Sequence, residues 1–132
     1  MTKPQVIDLK EAAKDNEAFR RVVFTGTKSQ LVLMSLEPNE DIGLETHEEV
    51  DQLIYVIDGE GTAVIGEGSK KIEKGDVVCV PAGTLHNIVN TDDEPMKVFT
   101  VYSPPEHAAG TVHKTKADAA AAEQAHPALV PA

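Results

Sequence analysis

Gly75-Asp76-Val77-Val78-Cys79-Val80-Pro81-Ala82-Gly83-Thr84-Leu85-His86-Asn87-Ile88-Val89-Asn90 is the stretch whose reading decides the fold. Two short β-branched runs flank a Pro-Ala-Gly break, and a glycine opens the block, so it reads as strand, tight turn, strand. The turn carries a histidine three residues past its glycine, at the start of the second strand. Upstream lies a second block, Glu45-Thr46-His47, four residues, Gln52, six residues, Gly59. Together the blocks supply two imidazoles, one carboxylate and one amide, a donor set that suits a borderline divalent metal.

Working outward, similar short runs recur at regular spacing. Val22-Val23-Phe24 ends at Gly26, Gln30 to Leu36 at Glu37-Pro38-Asn39, and Asp51 to Ile57 at Asp58-Gly59-Glu60-Gly61. Thr62 to Ile65, Lys70 to Ile72, Val77 to Val80, Leu85 to Val89 and Met96 to Tyr102 complete the series. No helical pattern intervenes, which indicates an antiparallel all-β barrel or sandwich and excludes a parallel α/β sheet. Leu9 to Phe19 reads as a short N-terminal helix capped by Asp8, and Thr115 to Gln124 as a second one capped by Thr115. The strand Gln52 to Asp58 is apolar on both faces: Ile54 and Val56 share a side with Gln52, Leu53, Tyr55 and Ile57 the other. A second sheet, a terminal arm or another subunit must cover the second face, and a homodimer joined through a sheet is the expectation.

The chain has 132 residues, with 12 basic and 22 acidic side chains and a formal charge of -10. One domain over 1–132 is expected, with a barrel over about 22–102 and a C-terminal arm over 103–132. That negative charge argues against nucleic acid and anionic membranes as partners and leaves a small-molecule ligand or substrate. No apolar run has the length of a signal peptide or a bilayer span, so a cytoplasmic protein is expected. The lone Cys79 reads as a small core hydrophobe, and His107, His113 and His126 as solvated or subunit-contacting groups of the tail.

Residues two apart on a strand point the same way, so Glu45 and His47 read as a clamp on one ion, joined by Gln52 and His86. A lower-ranked reading pairs His47 with Glu49, followed by Asp51 or Gln52. Glu48, Glu49 or Asp51 would complete the shell if Gln52 does not. Asn90 reads as ordering the turn that follows it.

These motifs resemble those of the cupins, the double-stranded β-helix (jelly-roll) barrels whose motifs run Gly-x5-His-x-His-x(3,4)-Glu-x6-Gly and Gly-x5-Pro-x-Gly-x2-His-x3-Asn. Gly75 to Asn90 matches the second at every fixed position. In the first, Glu45 takes the place of the leading histidine, Gln52 that of the glutamate and Asn39 that of the opening glycine. The resemblance implies one divalent metal per chain on Glu45, His47, Gln52 and His86, with zinc, manganese or iron first and nickel or cobalt next. It implies a metalloenzyme of dioxygenase or isomerase type, the alternative being a non-catalytic ligand-binding or sensor barrel. The donor inventory is similar to that of zinc-dependent phosphomannose isomerases, yet the arginines, Arg20 and Arg21, both precede the motif strands, which argues against a sugar phosphate.

Overall fold

Helix α1 occupies Leu9–Asp15, beginning where the Asp8 carboxylate accepts from the Glu11 N–H at 3.3 Å. It stops four residues before Phe19 because Asn16 turns the chain: its amide donates to Ala18 O and its oxygen accepts from Ala18 N and Arg21 Nε. An asparagine that satisfies backbone groups locally competes with helix continuation. This computed structural model describes residues 3–125, so His126 and the Pro127–Ala132 end lie outside the described residues.

Among the described residues nine strands follow: β1 Arg20–Thr25, β2 Gln30–Leu36, β3 Asp51–Asp58, β4 Glu60–Ile65, β5 Gly68–Glu73, β6 Val77–Val80, β7 His86–Asn90, β8 Met96–Ser103 and β9 Val112–His113. They form two antiparallel sheets, ordered β6-β3-β8-β2-β1-β9 and β5-β4-β7. The chain is a double-stranded β-helix of the jelly-roll kind, its sheets facing one another without closing into a continuous barrel.

Alternation builds the core. On β8 the buried residues are Met96, Val98, Thr100 and Tyr102, and the opposing sheet contributes Ala63, Ile72 and Ile88. Each large aliphatic side chain buried here stabilises the fold by about 1.5–3 kcal/mol. The outer face of β3 is covered by a terminal arm at one end only. There α1 lays Ala13 against Leu33 and Ile57, beside a stacked Tyr55–Phe99 pair with centroids 5.1 Å apart. Leu53 and Val77 stay exposed on that sheet. Cys79 is exposed as well, which corrects its assignment to the core: it pairs with Leu53 at the β3–β6 edge and alternation turns it outward.

Two turns place the functional strands. Gly83 has φ 85°, a left-handed conformation natural to glycine, and its N–H donates to His47 O at 2.8 Å. The Pro-Ala-Gly turn is thereby tied to the first motif. Asn39, at the position of the family's glycine, also adopts a positive φ, 65°, which asparagine tolerates better than most residues. Asn90 is fully buried, donates its amide to Leu36 O, Glu37 O and Glu94 O and accepts from Asp92 N. It orders the turn, as the sequence indicates.

After Ser103 the tail folds back on the same molecule. β9 pairs with β1 through Arg20↔His113 and Arg21↔Val112, and the Phe19 N–H donates to Lys114 O at 3.0 Å. Helix α2, Lys116–Ala125, starts where Thr115 Oγ1 accepts from Asp118 N, and buries Ala119 in the core. Among the described residues no helix is long and apolar enough to cross a membrane.

Candidate metal centre

Glu45 and His86 are held side by side by main-chain hydrogen bonds. Each N–H donates to the other residue's carbonyl at 2.9 Å, an isolated antiparallel bridge within a loop that otherwise forms no regular strand. His47 follows two residues later, its Nε2 3.7 Å from the Glu45 carboxylate. The ligand atoms of Glu45, His47 and His86 all lie within 4.8 Å of one another, close enough to share one ion. Asp51 instead accepts from Ala82 N, and neither it nor Glu48 or Glu49 joins this group.

Both imidazoles are braced from behind. Thr84 O lies 2.9 Å from His86 Nδ1, and a Glu106 carboxylate oxygen 3.1 Å from His47 Nδ1. The Glu106 contact is an ion pair without the alignment of a hydrogen bond, so both His47 nitrogens count as unbonded. A carbonyl or carboxylate behind one ring nitrogen fixes the proton there and leaves the other free for a metal, the usual support of metal-bound histidine. Here it leaves Nε2 of both rings free. Glu106, with its side chain 3 % exposed, is a residue the sequence reading missed.

Gln52 sits on β3 beneath this group, 1 % exposed, with Oε1 2.9 Å from His86 Nε2 and Nε2 donating to Thr100 Oγ1 at 3.0 Å. With the His86 proton on Nδ1, two acceptors face each other across that gap. A cation shared by both atoms relieves the conflict, and so does exchange of the amide's nitrogen and oxygen. The donor set therefore fits a metal ion by the clustering of its ligand atoms and by the groups that face the outer nitrogens of both rings.

Above the cluster opens a cavity of about 650 Å³ whose wall includes Glu45, His47, Glu106 and His107 together with Arg20 and His113. A smaller depression of about 310 Å³ near Lys14 and Asp92 contains no group of this cluster. Two of the tail histidines, His107 and His113, are partly buried against this chain. His107 packs edge-on against Tyr102 at 5.1 Å with Nε2 buried and unbonded, and His113 Nδ1 accepts from Arg20 Nη1 at 3.1 Å. Nor do both arginines lie away from the site: Arg20, 4 % exposed, lines the cavity, because β1 runs beside β9 at its mouth. That removes the argument against an anionic ligand. A basic residue opening the β1 run was the only signal available for it.

Burial raises the Glu45 carboxyl above the usual range, opposed by the charges of His47 and Arg20. Burial pulls His47 down, but the carboxylates of Glu106 and Glu45 outweigh it and its pKa is raised. His86 is lowered by burial, with Thr84 O opposing, and so stays uncharged near neutrality. Burial, then the field of Arg20, lowers His107 from 6.5 to about 3. The unfolded chain thus takes up a proton on His107 near pH 6.5 that the folded chain refuses until about pH 3. Its contribution to stability is complete above the unfolded value and is lost as pH falls through that window. His107→Gln is expected to show a smaller drop in urea midpoint between pH 7 and pH 5 than the unaltered protein. An equal or larger drop would contradict burial of the neutral ring.

A metal-suited cluster at the mouth of a double-stranded β-helix is the arrangement of the cupin class of proteins. The chain matches the cupin domain family over residues 32–102 and belongs to it. It is 43% identical over 127 residues to the uncharacterised protein YrkC of Bacillus subtilis, covering 92% of this chain and 68% of that one. The crystal structure of BH2720 from Bacillus halodurans is 40% identical, with TM-score 0.89 over 90% of this chain and 95% of that one. More distant is a predicted oxalate decarboxylase from Thermotoga maritima, 26% identical, with TM-score 0.57 over 60% of this chain and 69% of that one.

Proposed function

We propose that this cupin is a metal-dependent enzyme for a small molecule, with one divalent ion held by Glu45, His47 and His86 and with Gln52 as the fourth donor. The observation that carries this reading is the bracing of two neighbouring imidazoles by Glu106 and Thr84 O so that both turn Nε2 toward Glu45 and Gln52. Without an ion, His47 Nε2 stays buried and unpaired at a cost of about 1–3 kcal/mol.

A bound divalent ion would supply Lewis-acid polarisation of a substrate oxygen or an activated water. The chain's residues do the remainder. Tyr102, whose hydroxyl pKa burial raises, stays protonated and packs edge-on against His47 with centroids 5.9 Å apart, limiting ring rotation. The Glu106 carboxylate, 3.1 Å from His47 Nδ1, favours a proton on that nitrogen electrostatically, and the 650 Å³ cavity is large enough for a ligand of small-metabolite size. The Thermotoga neighbour, described as a predicted oxalate decarboxylase, supports an enzyme reading of such a site.

Elemental analysis of the purified full chain, before and after exposure to zinc, manganese or ferrous iron, tests the proposal. One equivalent per chain is expected, and no retained metal after reconstitution would overturn it.

A further inference from the structure

Among the described residues, four buried side-chain nitrogens lack a hydrogen-bond partner: Arg20 Nε, His47 Nδ1 and Nε2, and His107 Nε2. All three residues line the same cavity. His47 belongs to the metal cluster and His107 is neutral, so Arg20 remains to be explained. Its guanidinium is held by one hydrogen bond, from Nη1 to His113 Nδ1, and by the Phe19 ring at 5.3 Å from the guanidinium carbon. No carboxylate of the described residues forms an ion pair with it. The described ion pairs are His47 with Glu45, His47 with Glu106 and Lys116 with Asp41. A buried guanidinium without a counter-ion is costly unless something else supplies the negative charge.

We propose that Arg20 anchors the carboxylate of the cavity's ligand, so that the substrate is a small organic monoanion with a further oxygen next to its carboxylate to face the metal. Among the described residues Nη1 makes the one hydrogen bond of this side chain, Nε and Nη2 have no partner, and a planar carboxylate matches two neighbouring donors of such a fork. Lys116 is paired with Asp41, so among the described residues Arg20 is the cavity-lining cation left without an ion pair. The wall also carries the carboxylates of Glu45, Glu106 and Glu123, which repel a phosphate dianion more strongly than a monoanion.

This assignment rests on the metal reading for the ion that the ligand's second oxygen faces, and the test separates the two. Titration calorimetry of the full chain, metal-loaded and metal-free, is run with glycolate, with its neutral isostere glycolamide and with inorganic phosphate. Metal content is measured on the same samples. Glycolate is expected to bind the loaded protein about tenfold or more tighter than glycolamide, and Arg20→Gln to abolish that preference while keeping its metal, a loss typical of a charged hydrogen bond. If Arg20→Gln does not fold, the glycolate and glycolamide pair on the unaltered protein still decides. Equal binding of the two, no glycolate binding, or phosphate binding as tightly as glycolate would overturn the carboxylate anchor with the metal reading intact. Should no metal be retained, the metal reading fails. The anchor is then judged on metal-free protein, where loss of charge discrimination overturns it too.

Discussion

His86→Ala is expected to weaken divalent-metal binding by more than the roughly 10–100-fold that follows loss of a partner behind a metal ligand. Gln52→Ala is expected to weaken it less. A neutral imidazole is the stronger donor for these ions, and His86 is already set for the role, with its proton on the Thr84 side and its pKa lowered by burial. The Gln52 amide is uncharged and keeps a second partner in Thr100 Oγ1. Competition against a chromophoric chelator at pH 7.5 measures both, with urea midpoints reporting whether each variant folds. Equal losses, or a greater loss for Gln52→Ala, would reverse the order of the two donors. Because His86 is almost wholly buried, His86→Gln, which keeps most of the volume, is the companion variant if alanine collapses the site.

Gly61→Ala is expected to be the most damaging single methyl in the fold. An added Cβ would stand 2.2 Å from Val89 O and 3.0 Å from Met96 Cε. The first obstacle is backbone in the paired strand: Gly61 faces Asn90 and Thr62 faces Val89, so relief requires parting β4 from β7. Overpacking of this kind costs about 3 kcal/mol, the upper end of its usual range, which corresponds to roughly 10 °C in melting temperature for a domain of this size. Gly68→Ala is the control, since its nearest neighbour would be Ile65 O at 3.8 Å. Similar melting temperatures for the two variants would refute the close approach. The strand affected begins with His86, so the Gly61 variant should also lose metal affinity beyond its loss of stability.

Gly61 shows where sequence reading reached its limit. In Asp58-Gly59-Glu60-Gly61 both glycines read as turn punctuation, and the strand was expected from Thr62. The structure starts β4 at Glu60, with Gly61 already inside the ladder. Periodicity of two located the strands well where branched residues are dense, as in β2 and β6, whose limits match those read from the sequence. It failed where a polar side chain decides a boundary, as Asn16 does for α1. At the site, spacing from the glycines was enough to bring Glu45, His47 and His86 together, because the second motif encodes the turn that aims His86. Arg20, Glu106 and His107 were illegible for a different reason. They arrive through β1 and the returning tail, and the Pro-rich, then alanine-rich, composition after Tyr102 carries no mark of where that tail docks. Only the pairing of β1 with β9 brings Arg20 and His113 into contact across the cavity mouth.

The reciprocal pair of hydrogen bonds between Glu45 and His86 has a consequence for how such a site changes over time. Main-chain atoms, indifferent to side-chain identity, set the separation of these two positions. A donor at either position can therefore be exchanged, imidazole for carboxylate, without refolding the loop that carries it. The main chain fixes the frame whatever side chain it bears, and a glutamate at 45, where the motif this sequence resembles has a histidine, is a substitution that such a frame accepts.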